Sequence, residues 1–152
     1  MALIATPVGM VRIEGDEHRI HRIAIDEARQ TPRRAEFPAV IAAAEQLEAW
    51  FAGALRRFDI ALAPARTVRG QALRDGLSAV GYGTTVTYGE LATSLGSAPR
   101  AIGQLCARNP FPIVVPCHRV LTRAGADNYS AGGGIVTKRW LLDHEAKHGG
   151  FA

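Results

Sequence analysis

The hydrophobic pattern of this chain changes its period once, and that change limits the folds it can adopt. Within residues 9–26, the runs GMVRIEG and HRIHRIAID alternate apolar with polar side chains, as β-strands with one buried face do. Gly15 and Asp16 can form the turn between them. From residue 40 onward the apolar residues recur at helical spacing. We therefore expect a small α/β N-terminal domain, an antiparallel sheet plus a helix, followed by a mostly helical C-terminal domain.

The helix of the first domain is predicted within AVIAAAEQLEAWFAG, where Gly53 is a plausible end. A short strand, FDIALAPA, should follow and end at Pro64. We place the domain boundary near residues 63–67, which predicts domains at 1–65 and 66–152. The helical stripe consists of Val40, Ala43, Ala44, Leu47, Trp50 and Phe51.

The second domain begins with a helix in RGQALRDGLSAVG, whose apolar face is Ala72, Leu73, Leu77 and Val80. The run TVTYGELATSLG then carries a capping box, with Thr87 as the cap and Glu90 three residues later. Gly96 should end that helix.

A third helix is predicted in SAPRAIGQLCARNP, with Ser97 as its cap, Pro99 in its first turn and Asn109-Pro110 after its end. Two short helices joined by a glycine-containing turn suggest a helix-turn-helix.

The third helix has one apolar side, Ile102, Leu105 and Cys106, and an opposite side of small residues around one arginine. A helix that reads the major groove normally presents several long polar side chains. Small residues instead permit close approach to the narrow minor groove, where an arginine can insert between bases. Close packing against another helix is the alternative. The residues predicted to contact DNA are Arg100, Ala101, Gly103, Gln104 and Ala107.

The charge of the chain is concentrated in its second part. Residues 66–152 carry ten Lys and Arg against five Asp and Glu, whereas residues 1–65 carry eight against nine. A basic domain favours a polyanionic partner such as nucleic acid, although a merely soluble basic surface would have the same composition. No apolar run approaches the roughly 20 residues of a membrane-spanning helix, and no signal peptide is evident. We expect a cytoplasmic protein with no membrane contact.

The run FPIVVPCHRV places a cysteine behind apolar residues typical of a buried strand and directly before His and Arg. A nucleophilic Cys117 must become a thiolate, and His118 is the nearest base. Sequence neighbours do not face each other on a strand or a helix, so a bridging water is the natural link between them. A buried, inert cysteine is the alternative, and the spacing of Cys106 and Cys117 does not favour zinc. The acids that could orient His118 are Asp75, Glu90, Asp127, Asp143 and Glu145.

The motif NPFPIVVPCHRV, with VTYGELA and RAIG before it and NYS, GG and KRWLLDHE after it, resembles the O6-alkylguanine-DNA alkyltransferase family over residues 70–147. The resemblance implies that Cys117 accepts the alkyl group, that His118 acts on it through a water, and that Glu145 orients His118. It also implies the remaining roles. Asn109 would hold the cysteine loop, Tyr88 would donate a hydrogen bond to the flipped base, Tyr129, Ser130 and Pro116 would line the pocket, and Arg100 would fill the gap in the duplex.

The chemistry that the resemblance implies is a single irreversible transfer from O6-alkylguanine, and from O4-alkylthymine, in double-stranded DNA. We expect a monomer with no cofactor and no metal. The product would be a thioether, which water does not readily cleave, so each molecule would react once. The alternatives are a protein that binds such lesions without repairing them and a cysteine hydrolase. The adjacency of Cys117 and His118 does not favour the hydrolase.

Overall fold

The computed structural model describes residues 1–125 and 129–149, which form two compact units. Met1–Ala63 and Ala131–Gly133 belong to the first unit, and the other described residues belong to the second. None of the described helices is long and apolar enough to cross a membrane.

The first unit contains a three-stranded antiparallel sheet in the order β1-β2-β3. The strands are β1 (Ala2–Thr6), β2 (Gly9–Gly15) and β3 (Ile20–Asp26). Val11 in the central strand pairs with Ile4 on one side and Ile25 on the other. The sequence pattern did not predict β1, because Ala2, Leu3 and Ile4 are all buried and the strand lacks alternation.

Helix α1 (Pro38–Phe51) buries Val40, Ala43, Ala44, Leu47 and Trp50, five of the six residues of its predicted stripe. Gly53 follows with a φ of 79°, a conformation that glycine adopts without strain.

The strand predicted in FDIALAPA is wrong. Only one bridge forms, in which the N–H of Ile20 donates to the Ala61 carbonyl and the N–H of Ala63 donates to the Ile20 carbonyl, both at 2.7 Å. The next N–H that could extend the pairing, that of Ala65, donates instead to Gln71 Oε1 at 2.8 Å.

The second unit is mostly helical, so the predicted fold class is confirmed. Its elements are α2 (Val68–Ser78), β4 (Val86–Thr87), α3 (Tyr88–Ser94), α4 (Pro99–Ala107), a 3₁₀ turn (Cys117–Arg119), β5 (Val120–Leu121) and α5 (Ile135–Gly149). Strands β4 and β5 are parallel, and Val86 pairs with Val120. This pairing holds the start of α3 close to the end of the cysteine turn.

The capping box of α3 is confirmed. Thr87 Oγ1 accepts the N–H of Glu90 at 3.0 Å, and Glu90 Oε1 accepts the N–H of Thr87 at 2.8 Å. The cap predicted for α4 is wrong, because Ala98 occupies that position and no side chain caps the helix. The N–H of Ser97 instead donates to the Ala92 carbonyl in the preceding turn.

The predicted apolar face of α2 is correct in Leu73 and Leu77, with Val80 buried just beyond the helix, and wrong in Ala72, which is exposed. Helices α3 and α4 follow each other through residues 95–98, where Gly96 has a φ of 62°. Their interpretation as a helix-turn-helix stays a prediction.

Candidate active site

The segment before Cys117 is a turn, although its apolar residues had suggested a buried strand. The N–H of Val115 donates to the Phe111 carbonyl at 2.9 Å. Ile113 lies at the tip, 1% exposed, with a φ of 76°. A β-branched residue in this conformation is strained by about 1–3 kcal/mol, which the surrounding packing must offset. Pro112 and Pro116 lack the N–H groups that a central strand would need.

Asn109 holds the two ends of this turn together. Its Oδ1 accepts the N–H of Phe111 at 2.9 Å, and its Nδ2 donates to the Val115 carbonyl at 2.9 Å. The same Nδ2 lies 3.2 Å from Cys117 Sγ. The amide therefore fixes the backbone before the cysteine and also directs an N–H at its sulfur.

Cys117 opens onto a cavity of about 350 Å³ in the second unit. Tyr88, at the start of α3, reaches it because β4 pairs with the strand that follows the cysteine turn. The Tyr129 hydroxyl is buried and has no hydrogen-bond partner among the described residues. Pro116, which was predicted to line the pocket, is buried but does not line this cavity. The residues lining it are Tyr88, Gly103, Cys106, Ala107, Cys117, Tyr129 and Ser130.

Behind the cysteine, His118 and Glu145 form a buried pair. His118 Nε2 lies 2.8 Å from Glu145 Oε2, and the two residues are 0% and 1% exposed. Burial alone would raise the pKa of Glu145, but hydrogen bonds from His118 and Arg119 lower it to about 2. Glu145 is thus ionised, and His118 donates its Nε2–H to it. The lone pair of the neutral ring then lies on Nδ1.

The other acids considered as partners of His118 have different places. Asp75 accepts a hydrogen bond from Gln71, Glu90 belongs to the capping box of α3, and Asp143 is exposed. Asp127 lies outside the described residues.

Arg119 is a site residue that the sequence reasoning missed. Its guanidinium binds both carboxylate oxygens of Glu145, with an Nη2–Oε2 distance of 2.7 Å, and its Nη1 donates to the Val80 carbonyl at 2.6 Å. The residue is 6% exposed. In the sequence, only its position directly after Cys117 and His118 indicated that it belongs to the site.

Lys138 was also missed. It is 0% exposed, and its ammonium donates to the carbonyl of Val120, the residue after the cysteine turn, at 2.7 Å. It precedes Glu145 by seven residues, two helical turns, so one face of α5 presents both charges to this turn.

The two thiols of the chain share the cavity. Burial, together with the charge of Cys117, raises the pKa of Cys106 to about 12. Burial also raises the pKa of Cys117, against the lowering effects of the Asn109 hydrogen bond and the Lys138 charge. Burial lowers the pKa of His118. At neutral pH the resting site therefore holds a Cys117 thiol beside a neutral His118.

Helix α4 divides its predicted DNA-contacting residues between two concavities. Gly103 and Ala107 line the cavity of Cys117, whereas Ala101 and Gln104 line a separate groove. Arg100 is exposed and lines neither. A Cβ added at Gly103 would meet no atom within 4 Å in the described structure, so the alternative of close helix packing there is wrong.

The apolar side predicted for α4 is only partly correct. Ile102 is fully buried in the core. Leu105 is half-buried and lines the same groove as Gln104, while Cys106 lines the cavity of Cys117.

The chain is similar to known proteins over most of its length. The family described as 6-O-methylguanine DNA methyltransferase, DNA binding domain, matches residues 70–147. The methylated-DNA–protein-cysteine methyltransferase of Methanosarcina acetivorans is 35% identical, over 95% of this chain and 96% of its own length. The namesake protein of Mycobacterium tuberculosis is 36% identical, over 93% of this chain and 89% of its own.

Solved structures show the same likeness. The crystal structure of Mycobacterium tuberculosis O6-methylguanine methyltransferase has a TM-score of 0.82 and 33% identity, covering 100% of this chain and 97% of that one. A Mycobacterium tuberculosis relative solved in complex with DNA has a TM-score of 0.81 and 34% identity, covering 96% and 92%. The chain therefore belongs to the methylated-DNA–protein-cysteine methyltransferase family, whose members act in DNA repair.

Proposed function

We propose that this protein repairs DNA by moving the alkyl group of O6-alkylguanine, and of O4-alkylthymine, to Cys117 in a single irreversible step. The observation that carries the proposal is the position of the Cys117 sulfur. It opens onto a cavity lined by residues that carry hydroxyl groups, and the buried His118–Glu145 pair lies behind it. We assign the DNA-binding and acceptor functions to residues 66–152.

The transfer is a displacement at the alkyl carbon. Cys117 Sγ forms the new C–S bond, the C–O6 bond breaks, and its electron pair passes to the purine. The thiol proton leaves through a water to His118 Nδ1, and the purine takes up a proton in exchange. Tyr88 is the proposed hydrogen-bond donor to the leaving base, and Tyr129 and Ser130 line the pocket around the alkylated oxygen. A donor at this place stabilises the negative charge that develops on the purine.

His118 is suited to the role of base because burial keeps its ring neutral. Glu145 holds the tautomer with Nδ1 unprotonated and stabilises the imidazolium that forms as the proton arrives. Arg119 in turn keeps the carboxylate ionised and in place.

The product explains why one molecule acts once. A thioether at Cys117 is not hydrolysed by water, so the protein is consumed in stoichiometric amounts. The alkyl group passes from the purine to the sulfur and one proton passes to the purine, so the reaction balances without a cofactor.

DNA binding is proposed for the exposed side of α4. Gly103 and Ala107 would allow its backbone to approach a minor groove about 6 Å wide. The target base would flip into the cavity, which requires a few kcal/mol of lost stacking and pairing. Arg100, exposed in the first turn of α4, would enter the vacated space. The DNA complex of the mycobacterial relative supports DNA as the partner.

We further propose that the protein acts as a monomer, since one cavity serves one base. Its place would be the cytoplasm, at the nucleoid where its substrate lies.

Stoichiometry tests this function. Increasing amounts of protein are mixed with a fixed amount of duplex that contains one O6-methylguanine, and the lesion remaining is measured. We expect one lesion lost per protein molecule added. Binding with no loss of lesion would mean a lesion-binding protein, and repeated turnover would mean a hydrolase. Either result would overturn the proposal.

A further inference from the structure

We propose that the groove lined by Arg66, Arg69, Arg74 and Arg108, called here the arginine groove, binds backbone phosphates of the duplex beside the lesion. The proposal rests on the function proposed above and adds a second DNA contact, outside the cavity of Cys117. The groove has a volume of about 460 Å³ and lies along α2 and α4.

The charges of the groove are of one sign. Four of the ten Lys and Arg of residues 66–152 line it. No Asp or Glu lines it in the part of the chain that the structure describes. Asp75 is close enough to affect Arg74, so a single carboxylate beside the groove offsets part of the charge of its four arginines. Clustered arginines with few acidic neighbours favour the binding of a polyanion over the binding of one acidic side chain or a single ion.

Two of the arginines are held in place before any ligand arrives. Arg69 Nη2 donates to the Gly96 carbonyl at 3.1 Å. The guanidinium of Arg74 lies over the ring of Phe111, 5.2 Å from its centroid. Pre-organised guanidinium groups lose less conformational entropy on binding phosphate.

The first turn of α2 adds to the positive potential. Thr67, Arg69 and Gly70 line the groove, and this turn carries no acidic residue. The N-terminal end of a helix dipole favours an anion, and α2 directs this end into the groove.

The place of the groove fits phosphates that flank the lesion. Helix α4 contributes Gly103 and Ala107 to the cavity and Ala101 and Gln104 to the groove, and Arg108 lines the groove directly after the end of the helix. The two sets of residues alternate along the helix and lie on different sides of it, so they are separated across its diameter of about 10–12 Å, which corresponds to about three nucleotide steps of about 3.4 Å along one strand. A duplex on α4 with one base in the cavity would therefore bring phosphates a few steps away to the arginines.

The first test removes two exposed groove charges, as Arg66→Ala with Arg108→Ala. The matched control removes two exposed charges of α5 that do not line the groove, as Arg139→Ala with Lys147→Ala. Duplex affinity is measured by fluorescence anisotropy between 50 and 200 mM salt. We expect the slope of log affinity against log salt to fall by about 2 in the groove variant, and by clearly less in the control. Equal changes in both would overturn the proposal.

The second test identifies phosphate as the ligand. Duplexes are made with a single neutral methylphosphonate at each position within five nucleotides of the lesion. For the wild-type protein we expect one or two positions at which the neutral linkage weakens binding several-fold. In the groove variant the same positions should lose their effect. If the neutral linkage weakens binding of the groove variant at every position as much as it weakens binding of the wild type, these arginines do not contact the backbone.

Reaction with free O6-alkylguanine separates this proposal from the function on which it rests. The groove variant should react with the free base as fast as the wild type does. If the wild type itself transfers no alkyl group, the proposed function fails. If the groove variant has a changed salt slope but reacts normally with the free base, the change concerns the groove alone.

Discussion

His118 Nε2 and Glu145 Oε2 are 2.8 Å apart and both buried, although 27 residues separate them in the chain. The histidine follows Cys117 in the 3₁₀ turn, and α5 brings the carboxylate to it. One ring nitrogen of His118 is thereby committed to Glu145, and the proposed mechanism assigns the role of base to the other. The proposed mechanism depends on this pair, so disruption of the pair should have specific consequences.

Glu145→Gln should slow transfer to Cys117 by about 100-fold or more, because it removes the charge that stabilises the imidazolium of His118. It should also destabilise the fold by about 3–5 kcal/mol, since Arg119 loses its buried counter-charge. Single-turnover rates and urea unfolding measure the two effects. The control is Asp143→Asn, an exposed carboxylate on the same helix. An unchanged rate in folded Glu145→Gln would remove Glu145 from the mechanism.

Acid should destabilise the protein through Glu145. The pKa of this carboxyl group is lowered from 4.5 to about 2 in the folded state. A lowered folded-state pKa contributes stability that is complete above about pH 4.5 and is lost as the pH falls toward 2. The difference in unfolding free energy between wild type and Glu145→Gln should therefore shrink across this window. A constant difference between pH 6 and pH 3 would contradict the assignment.

Lys138→Met should move the pH dependence of Cys117 alkylation to higher pH. The buried ammonium lowers the pKa of the Cys117 thiol, so its removal leaves less thiolate at a given pH. The rate is measured with iodoacetamide in the absence of DNA. Lys138→Arg keeps the charge and should restore part of the profile, and the exposed Arg139→Met should change nothing. A profile unchanged in Lys138→Met would mean that Lys138 only supports the fold through Val120.

Arg100→Ala should slow the repair of duplex DNA by at least tenfold more than reaction with the free alkylated base. The arginine offsets part of the cost of base flipping, which only the duplex incurs. Gly103→Leu should weaken duplex binding, because a side chain there enters the open space in front of α4. Paired single-turnover rates with duplex and free base measure both effects. Equal losses of Arg100→Ala on the two substrates would show that this residue serves the fold or the pocket. Gly103 also lines the cavity of Cys117, so its effect is judged from duplex affinity.

The sequence predicted those parts of the fold that depend on local rules. The capping box of Thr87 and the apolar stripe of α1 need only neighbouring residues, and both are present. The cap at Ser97 and the strand in FDIALAPA failed because tertiary context decided them. The N–H of Ser97 donates within the turn after α3, and the FDIALAPA segment forms a single bridge to Ile20 where a strand was predicted.

The site was less accessible to sequence reasoning. Glu145 stood among five candidate acids, and only the family resemblance selected it. Lys138 and Arg119 are charged residues in ordinary helical or polar contexts, and nothing in their spacing distinguishes a buried charge from a solvated one. Cys106 lies on the apolar side of α4, but that side also forms a wall of the cavity.

Intact-mass measurement followed by a peptide digest tests the central claim most directly. Wild type and Cys106→Ala are mixed with duplex containing O6-methylguanine, and Cys117→Ala is the matched control. Since the Asn109 amide and the His118–Glu145 pair lie beside Cys117, we expect wild type and Cys106→Ala each to gain one methyl group, located on Cys117. Cys117→Ala should gain none and still bind the lesion. A methyl group located on Cys106, or retained in Cys117→Ala, would contradict the account.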